Sequence, residues 1–439
     1  MKTSLATLLS LLLITALLSA CGGSDDDDAG ADSADDDAAN ADDDAADDDD
    51  DDNDDDNDST ADCSAYSDSL PDPGGVCPGN PHSIFPAPTG PYCVGTTQPI
   101  HLVDASRAEP FTPNQPADSR ELMVQLWYPV AAAAAGDYAP YMDAATAAYE
   151  AGIPPATWVN MPAAAFEQEQ SHALLEAPIV DSLKKFPVLL FSPGLKREYQ
   201  LYTTAIEDLV SHGYIVAAIN HPYVSGLTVF PDDRAVEVYL PADEAATIDL
   251  VVGDALFLLD TLTRWNTELE NQPTFTCRFD LDKAAMYGHS YGGATAVGAA
   301  VADARLRAAL NIDGPTFGPA IVEGTATPLF YLLSEDHEAA ENFDALWDLL
   351  AGPGFQAILA GTEHMTYSDY PLLLHDFAPA RPLWTLEMGT IEPTLALEIA
   401  NRYFSAFFDV FLKGAPTDEL LTLGGEYPEV TFQSKNADR

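Results

Sequence analysis

Five residues, Gly288-His289-Ser290-Tyr291-Gly292, set one hydroxyl between two glycines in the pattern G-x-S-x-G. An apolar run ends at Tyr287, and a run rich in alanine and glycine continues to Ala300. Strand, tight turn and helix in that order make a nucleophile elbow. Its strained backbone lifts the serine hydroxyl off the sheet, and small neighbours let strand and helix approach. A serine hydroxyl is a poor nucleophile near neutral pH. It needs a histidine base, and the histidine needs a carboxylate to fix its tautomer and stabilise its charged form. The chemistry on offer is acyl transfer.

On a parallel sheet with helical crossovers the partners follow in the order serine, acid, histidine, each after a strand. Asp313 follows an apolar run at 307–312 and His364 follows another at 355–360, both downstream of Ser290. Asp336, after the run 328–333, competes as the acid. His337 and His375 compete as the base, but one sits in an acidic turn and the other in a Pro-bounded stretch, and both read as surface residues. His221 and His289 read as side chains that orient loops. A tetrahedral oxyanion needs two donors. The amide of Tyr291, next to the nucleophile, is one. The turn Ser192-Pro193-Gly194-Leu195 supplies the other, and since Pro193 has no N–H, Leu195 is the candidate.

Continuous apolar strands alternating with helical patterns must position these residues. Strands are expected at 99–104, 121–129, 186–191, 214–219, 283–287, 307–312, 328–333 and 355–360. Helices are expected at 199–212, as an amphipathic one closed by Gly213, and at 242–265, 339–350 and 391–412, with shorter helical pieces over 131–180 beside a substrate cleft. Such an alternation predicts a mostly parallel central sheet with helices on both faces, an α/β fold in one domain. The segment 367–390, with Trp384 and several prolines, reads equally as a lid or as packing.

Several stretches together resemble the plasma-type platelet-activating factor acetylhydrolases and their bacterial relatives. They are the run from Phe191 through Leu195 to Tyr202, Leu126-Trp127-Tyr128-Pro129, the elbow, Leu310-Asn311-Ile312-Asp313, and Gly361-Thr362-Glu363-His364. The resemblance covers about residues 98–412. It implies an α/β-hydrolase with a Ser290, Asp313, His364 triad, oxyanion donors at Leu195 and Tyr291, and no metal or cofactor. It also places the acid after the strand that follows the elbow helix, at Asp313 rather than Asp336. The implied activity is hydrolysis of short-chain acyl esters, with the sn-2 ester of phospholipids among the candidate substrates. That family commonly has Ser-His-Gly-Leu where this chain has Ser192-Pro193-Gly194-Leu195, so the ester chemistry carries over more directly than the choice of acyl group. Polyester or dienelactone cleavage on the same fold, and a non-catalytic surface lipoprotein, are the alternatives.

The ends set the location. Residues 1–20 hold a positive start and an apolar run from Leu5 to Leu18, the form of a signal peptide. Leu18-Ser19-Ala20-Cys21 resembles a bacterial lipobox, which predicts a lipidated Cys21, and Gly22 after it favours the outer membrane or cell surface. Residues 21–62 form an acidic tether, with 21 aspartates and no lysine or arginine between Ser24 and Asp58. Setting those aside, the remaining chain still has 50 acidic against 18 basic residues, which excludes a basic nucleic-acid footprint. A Cys/Pro/Gly-rich collar at 63–97 precedes the catalytic domain at 98–436. Cys63, Cys77, Cys93 and Cys277 allow two disulfides in any of three pairings in an oxidising compartment, and three cysteines in the collar imply at least one bridge within it. The partners expected are an acyl ester or phospholipid substrate and a membrane reached through the lipid anchor.

Overall fold

The computed structural model describes residues 60–437, apart from 113, 116, 181–182, 240–246, 269–271, 273, 338–341 and 376–380 and the side chains of 381–384. The signal peptide, Cys21, the acidic tether and the Trp384 side chain lie outside the described residues, as do the starts expected for the helices at 242 and 339.

Fourteen strands are described: β1 Cys93–Thr96, β2 Ile100–Ala108, β3 Ser119–Val130, β4 Tyr138–Pro140, β5 Gln170–Leu175, β6 Phe186–Ser192, β7 Ile215–Asn220, β8 Leu227–Val229, β9 Ala235–Glu237, β10 Phe279–His289, β11 Leu306–Ile312, β12 Leu329–Leu333, β13 Gly354–Leu359 and β14 Val430–Lys435. All but the β8–β9 hairpin join one sheet in the order β14-β13-β12-β11-β10-β6-β7-β3-β1-β5-β4, with β2 on β3. The six strands from β13 to β7 pair in parallel. Their order steps outward from β6 to β7, then resumes at β10 on the opposite side of β6. That reversal makes a crevice at the carboxyl ends of β6 and β10, where ligands bind in open α/β sheets.

Side chains alternate between the faces, as the two-residue period requires. Leu189, Phe191, Ala285, Tyr287 and Phe330 join one core cluster, which takes in the helix Pro393–Lys413. Val188, Leu190, Met286, Ala309 and Tyr331 join the other, which takes in the helix Ile248–Thr267. Both faces are therefore covered, as the apolar runs predicted. The helix expected at 199–212 is a 3-10 turn, Tyr199–Tyr202, running into an α-helix, Thr203–Ser211. Its polar face is covered as well as its apolar one: every residue from Thr203 to Ser211 is buried.

The collar belongs to the same body. β1 lies inside it and pairs with both β3 and β5. Cys77–Cys93 staples the collar to itself, and Cys63–Cys277 ties its start to the residues just before β10. Among the described apolar side chains of 367–390 most pack, while Leu386 is exposed. Tyr367, Tyr370, Leu373, Leu374 and Met388 all sit in the first core cluster. Among the described residues, no helix is long and apolar enough to cross a membrane.

Candidate active site

Ser290 stands between β10 and the helix Tyr291–Ala302 with φ 56° and ψ −122°. A non-glycine residue held at positive φ costs on the order of 1–3 kcal/mol and persists only where its surroundings fix it. Here the Ser290 amide donates to the Ile312 carbonyl at 2.7 Å, and its own carbonyl accepts from Gly293 and Ala294 at 2.9 and 3.2 Å. Gly292 must be glycine for a steric reason, since a Cβ there would lie 1.9 Å from the Ser192 carbonyl oxygen. The elbow is thus pressed against the end of β6.

The three residues expected to act together do converge. His364 Nε2 lies 2.9 Å from Ser290 Oγ, and His364 Nδ1 lies 2.8 Å from Asp313 Oδ2. Asp313 follows β11 directly, with φ 50°. The His364 side chain is 32% exposed and that of Asp313 1%, so the imidazole meets solvent while its partner does not. Burial opposes the charge on Asp313, but His364 and the Ser334 amide and hydroxyl outweigh it and hold the carboxyl below its ordinary range. Ser334 donates to Asp313 Oδ1 through both groups at 2.8 Å. Ser334 directly follows β12, and nothing in the sequence around it signals this task.

The rivals take no part in the Ser290–His364–Asp313 hydrogen bonds. No described hydrogen bond joins Asp336 to His364. His337 Nδ1 lies 3.2 Å from the Glu335 carbonyl, and His375 is exposed at the end of the helix Tyr370–Leu374. His289 orients a loop, as expected of it. Its Nε2 donates to the His364 carbonyl at 2.8 Å, and its Nδ1 accepts from the Tyr202 hydroxyl at 2.8 Å. The two imidazoles face each other with centroids 4.5 Å apart. Burial, then the facing His364, pushes His289 down to about 3, so it stays neutral.

The turn after β6 brings Leu195 to the same place. β6 and β10 run in register with Ser192 opposite Gly288. Leu195 packs with Tyr291, Val224, Phe111 and Phe317 in one small apolar cluster. The Gly194 amide points to the Tyr202 hydroxyl at 3.4 Å. Leu195 and Tyr291 therefore meet beside the elbow from two elements, the turn after β6 and the start of the helix Tyr291–Ala302. Aromatic rings extend this wall: Tyr291 lies 6.2 Å from Phe317, and Phe111 lies 5.3 Å from Tyr223 and 6.2 Å from Tyr239.

The model of the family described as platelet-activating factor acetylhydrolase, isoform II, matches residues 78–243 and 270–414. A probable 1-alkyl-2-acetylglycerophosphocholine esterase of Arthroderma benhamiae is 27% identical over 269 residues, which cover 56% of this chain and 66% of that protein. The platelet-activating factor acetylhydrolase of the dog is 27% identical over 259 residues, 52% of this chain and 58% of the relative. These matches thus span somewhat under two thirds of the curated relatives' own length. A solved ferulic acid esterase from Streptomyces cinnamoneus is 31% identical, with a TM-score of 0.67, over 79% of this chain and 98% of that one. Sheet order, elbow and matched span agree, and the chain belongs to the isoform II platelet-activating factor acetylhydrolase family of α/β-hydrolases.

Proposed function

We propose that this protein is a serine hydrolase of carboxylic esters. Ser290 Oγ attacks the ester carbonyl while its proton passes to His364 Nε2. The tetrahedral oxyanion rests on the Leu195 and Tyr291 amides. Collapse breaks the bond to the alcohol, which leaves with the proton from His364, and an acyl-enzyme remains. Water, deprotonated by the same imidazole, then releases the acid and returns the proton to Ser290. Asp313 keeps His364 in the required tautomer and stabilises its cation. The observation that carries the reading is the 2.9 Å approach of His364 Nε2 to a serine held at φ 56°. Ser290→Ala should keep the melting temperature and lower turnover of p-nitrophenyl acetate by at least about 10⁴-fold. Near-wild-type turnover would end the assignment.

Short acyl esters, including the sn-2 ester of phospholipids, are the substrates that the names of the curated relatives favour. A second reading is an aromatic acyl group. It is favoured by the name of the Streptomyces neighbour and by the rings of Phe111, Tyr223, Tyr239, Tyr291 and Phe317 around the Leu195 side of the serine. Comparing kcat/KM for methyl ferulate and for a 2-acetyl phospholipid decides between them. The cell holds this enzyme, in our reading, as an exported lipoprotein tethered through Cys21 to the outer membrane or cell surface. Cys21→Ser in the full chain should move it from the membrane to the soluble fraction.

A further inference from the structure

A second hydrogen-bonded array lies under the turn that carries Leu195, and the reaction above gives it no task. Ser192 Oγ lies 3.1 Å from His221 Nε2, and His221 Nδ1 lies 2.8 Å from Asp254 Oδ2. Asp254, from the helix Ile248–Thr267, also accepts from Arg120 at 3.1 and 2.7 Å and pairs with Arg107 at 2.9 Å. Arg120 in turn reaches Glu109 at 2.8 Å and the Pro222 carbonyl at 3.1 Å. Ser192, His221, Asp254 and Arg120 are each at most 2% exposed.

Protons in this array have fixed places. Burial opposes the charge on Asp254, but Arg120 and His221 outweigh it and keep the carboxylate ionised. Burial pushes His221 down, and the nearby Arg120 and Arg107 charges add to that push against the pull of Asp254. A neutral His221 therefore donates from Nδ1 to Asp254 and accepts the Ser192 hydroxyl at Nε2. The same histidine opens a turn. Its carbonyl accepts from Val224 and Ser225 at 2.9 and 2.8 Å, and the Val224 carbonyl accepts from the Lys196 amide at 3.0 Å. The chain is thus held on both sides of Leu195, at Ser192 by the His221 side chain and at Lys196 by the His221 turn.

We propose that Ser192 and His221 are positioning residues that hold the Leu195 amide at the oxyanion, a clamp anchored through Asp254 on Arg120 and Arg107. This rests on the reading of Ser290 as nucleophile and Leu195 as donor. Truncating one oxyanion donor costs about 10²–10³ in kcat, so a donor allowed to drift costs a part of that. The decisive probe is a matched pair of aryl substrates, one an ester and one a thionoester, because sulfur is larger and a poorer acceptor than oxygen. A precisely placed donor favours oxygen; general damage to the fold slows both substrates alike.

Ser192→Ala should lower kcat about tenfold and His221→Gln about a hundredfold, with KM little changed. In both, the oxygen-over-sulfur preference should fall by the same factor as kcat, and Ser192→Thr should restore it. If Ser192→Ala keeps the wild-type oxygen-over-sulfur ratio, the clamp has no catalytic task and the inference falls. Should His221→Gln not fold, Ser192→Ala, which removes one hydroxyl, carries the test alone. Failure of the underlying reading has a different signature, because Ser290→Ala would then retain turnover.

Discussion

Ser290–His364–Asp313 and Ser192–His221–Asp254 repeat one order of hydrogen bonds. Their Oγ to Nε2 distances are 2.9 and 3.1 Å, and the imidazole lies 2.8 Å from its carboxylate in both. What differs is the surroundings. The His364 side chain is 32% exposed and that of His221 2%. Asp313 is held by the neutral donors of Ser334, so its negative charge remains to stabilise an imidazolium. The charge on Asp254 is already met by two guanidiniums, and a proton added to His221 would sit beside both. Ser290 also rests on a positive-φ turn, whereas Ser192 closes an ordinary strand. On the reading proposed above, the same three residue types give a reactive array where the imidazole meets solvent and a cation can form, and a rivet where neither holds.

Exchange of the two carboxylates breaks this comparison most directly. Asp313→Asn should lower kcat by about 10⁴-fold while the fold survives, since the imidazole would lose its tautomer and its counter-charge. Asp254→Asn should instead cost about 3–5 kcal/mol of stability in urea unfolding, because Arg120 is left buried against a neutral amide. An Asp254→Asn variant that unfolds like the wild type yet loses activity as Asp313→Asn does would reverse the roles assigned to the two arrays. A smaller effect sharpens the contrast on the catalytic side. His289 is held at about 3 in the fold against an ordinary 6.5. This depressed value makes its contribution to stability complete above about pH 6.5 and lost as pH falls toward 3. Over that window the unfolded chain takes up a proton that the fold refuses. His289→Gln should therefore flatten the slope of stability with pH by up to about 1.4 kcal/mol per unit. An unchanged slope between pH 6 and pH 4 would refute the neutral, packed role of this ring.

Much of the site could be read from the chain because its signals are local. The elbow is a contiguous pattern, and Asp313 and His364 each follow an apolar run. The rivet has no such signature. Arg120 and Asp254 are 134 positions apart, and a lone aspartate within a helical pattern looks like a solvated face until the strand beside it is known. The turn helix at 199–212 misled for a related reason. Its polar residues Glu207 and Asp208 face other chain segments, the amides of His172 and Ala173 and Thr89, rather than water. Besides the small β8–β9 hairpin, the strands that went unread, β1, β4, β5 and β14, owe their form to partners far away. β1 is four residues inside a Pro/Gly-rich stretch and is shaped by its register with Val130 through Trp127. Among the described residues β14 pairs only with β13, and half of its residues are exposed. Short edge strands carry too few apolar positions to show a period of two.

The bridge from Cys63 to Cys277 has a mechanical side. Cys277 lies two residues before β10, whose far end, at a rise of about 3.3 Å per residue, is Ser290's neighbour His289. A pull exerted through the residues preceding Cys63 meets the bonds of Thr60 and Ala61 to the end of the helix Ile248–Thr267, and then a covalent bond at the start of β10. Such a load enters the strand at the end opposite to Ser290.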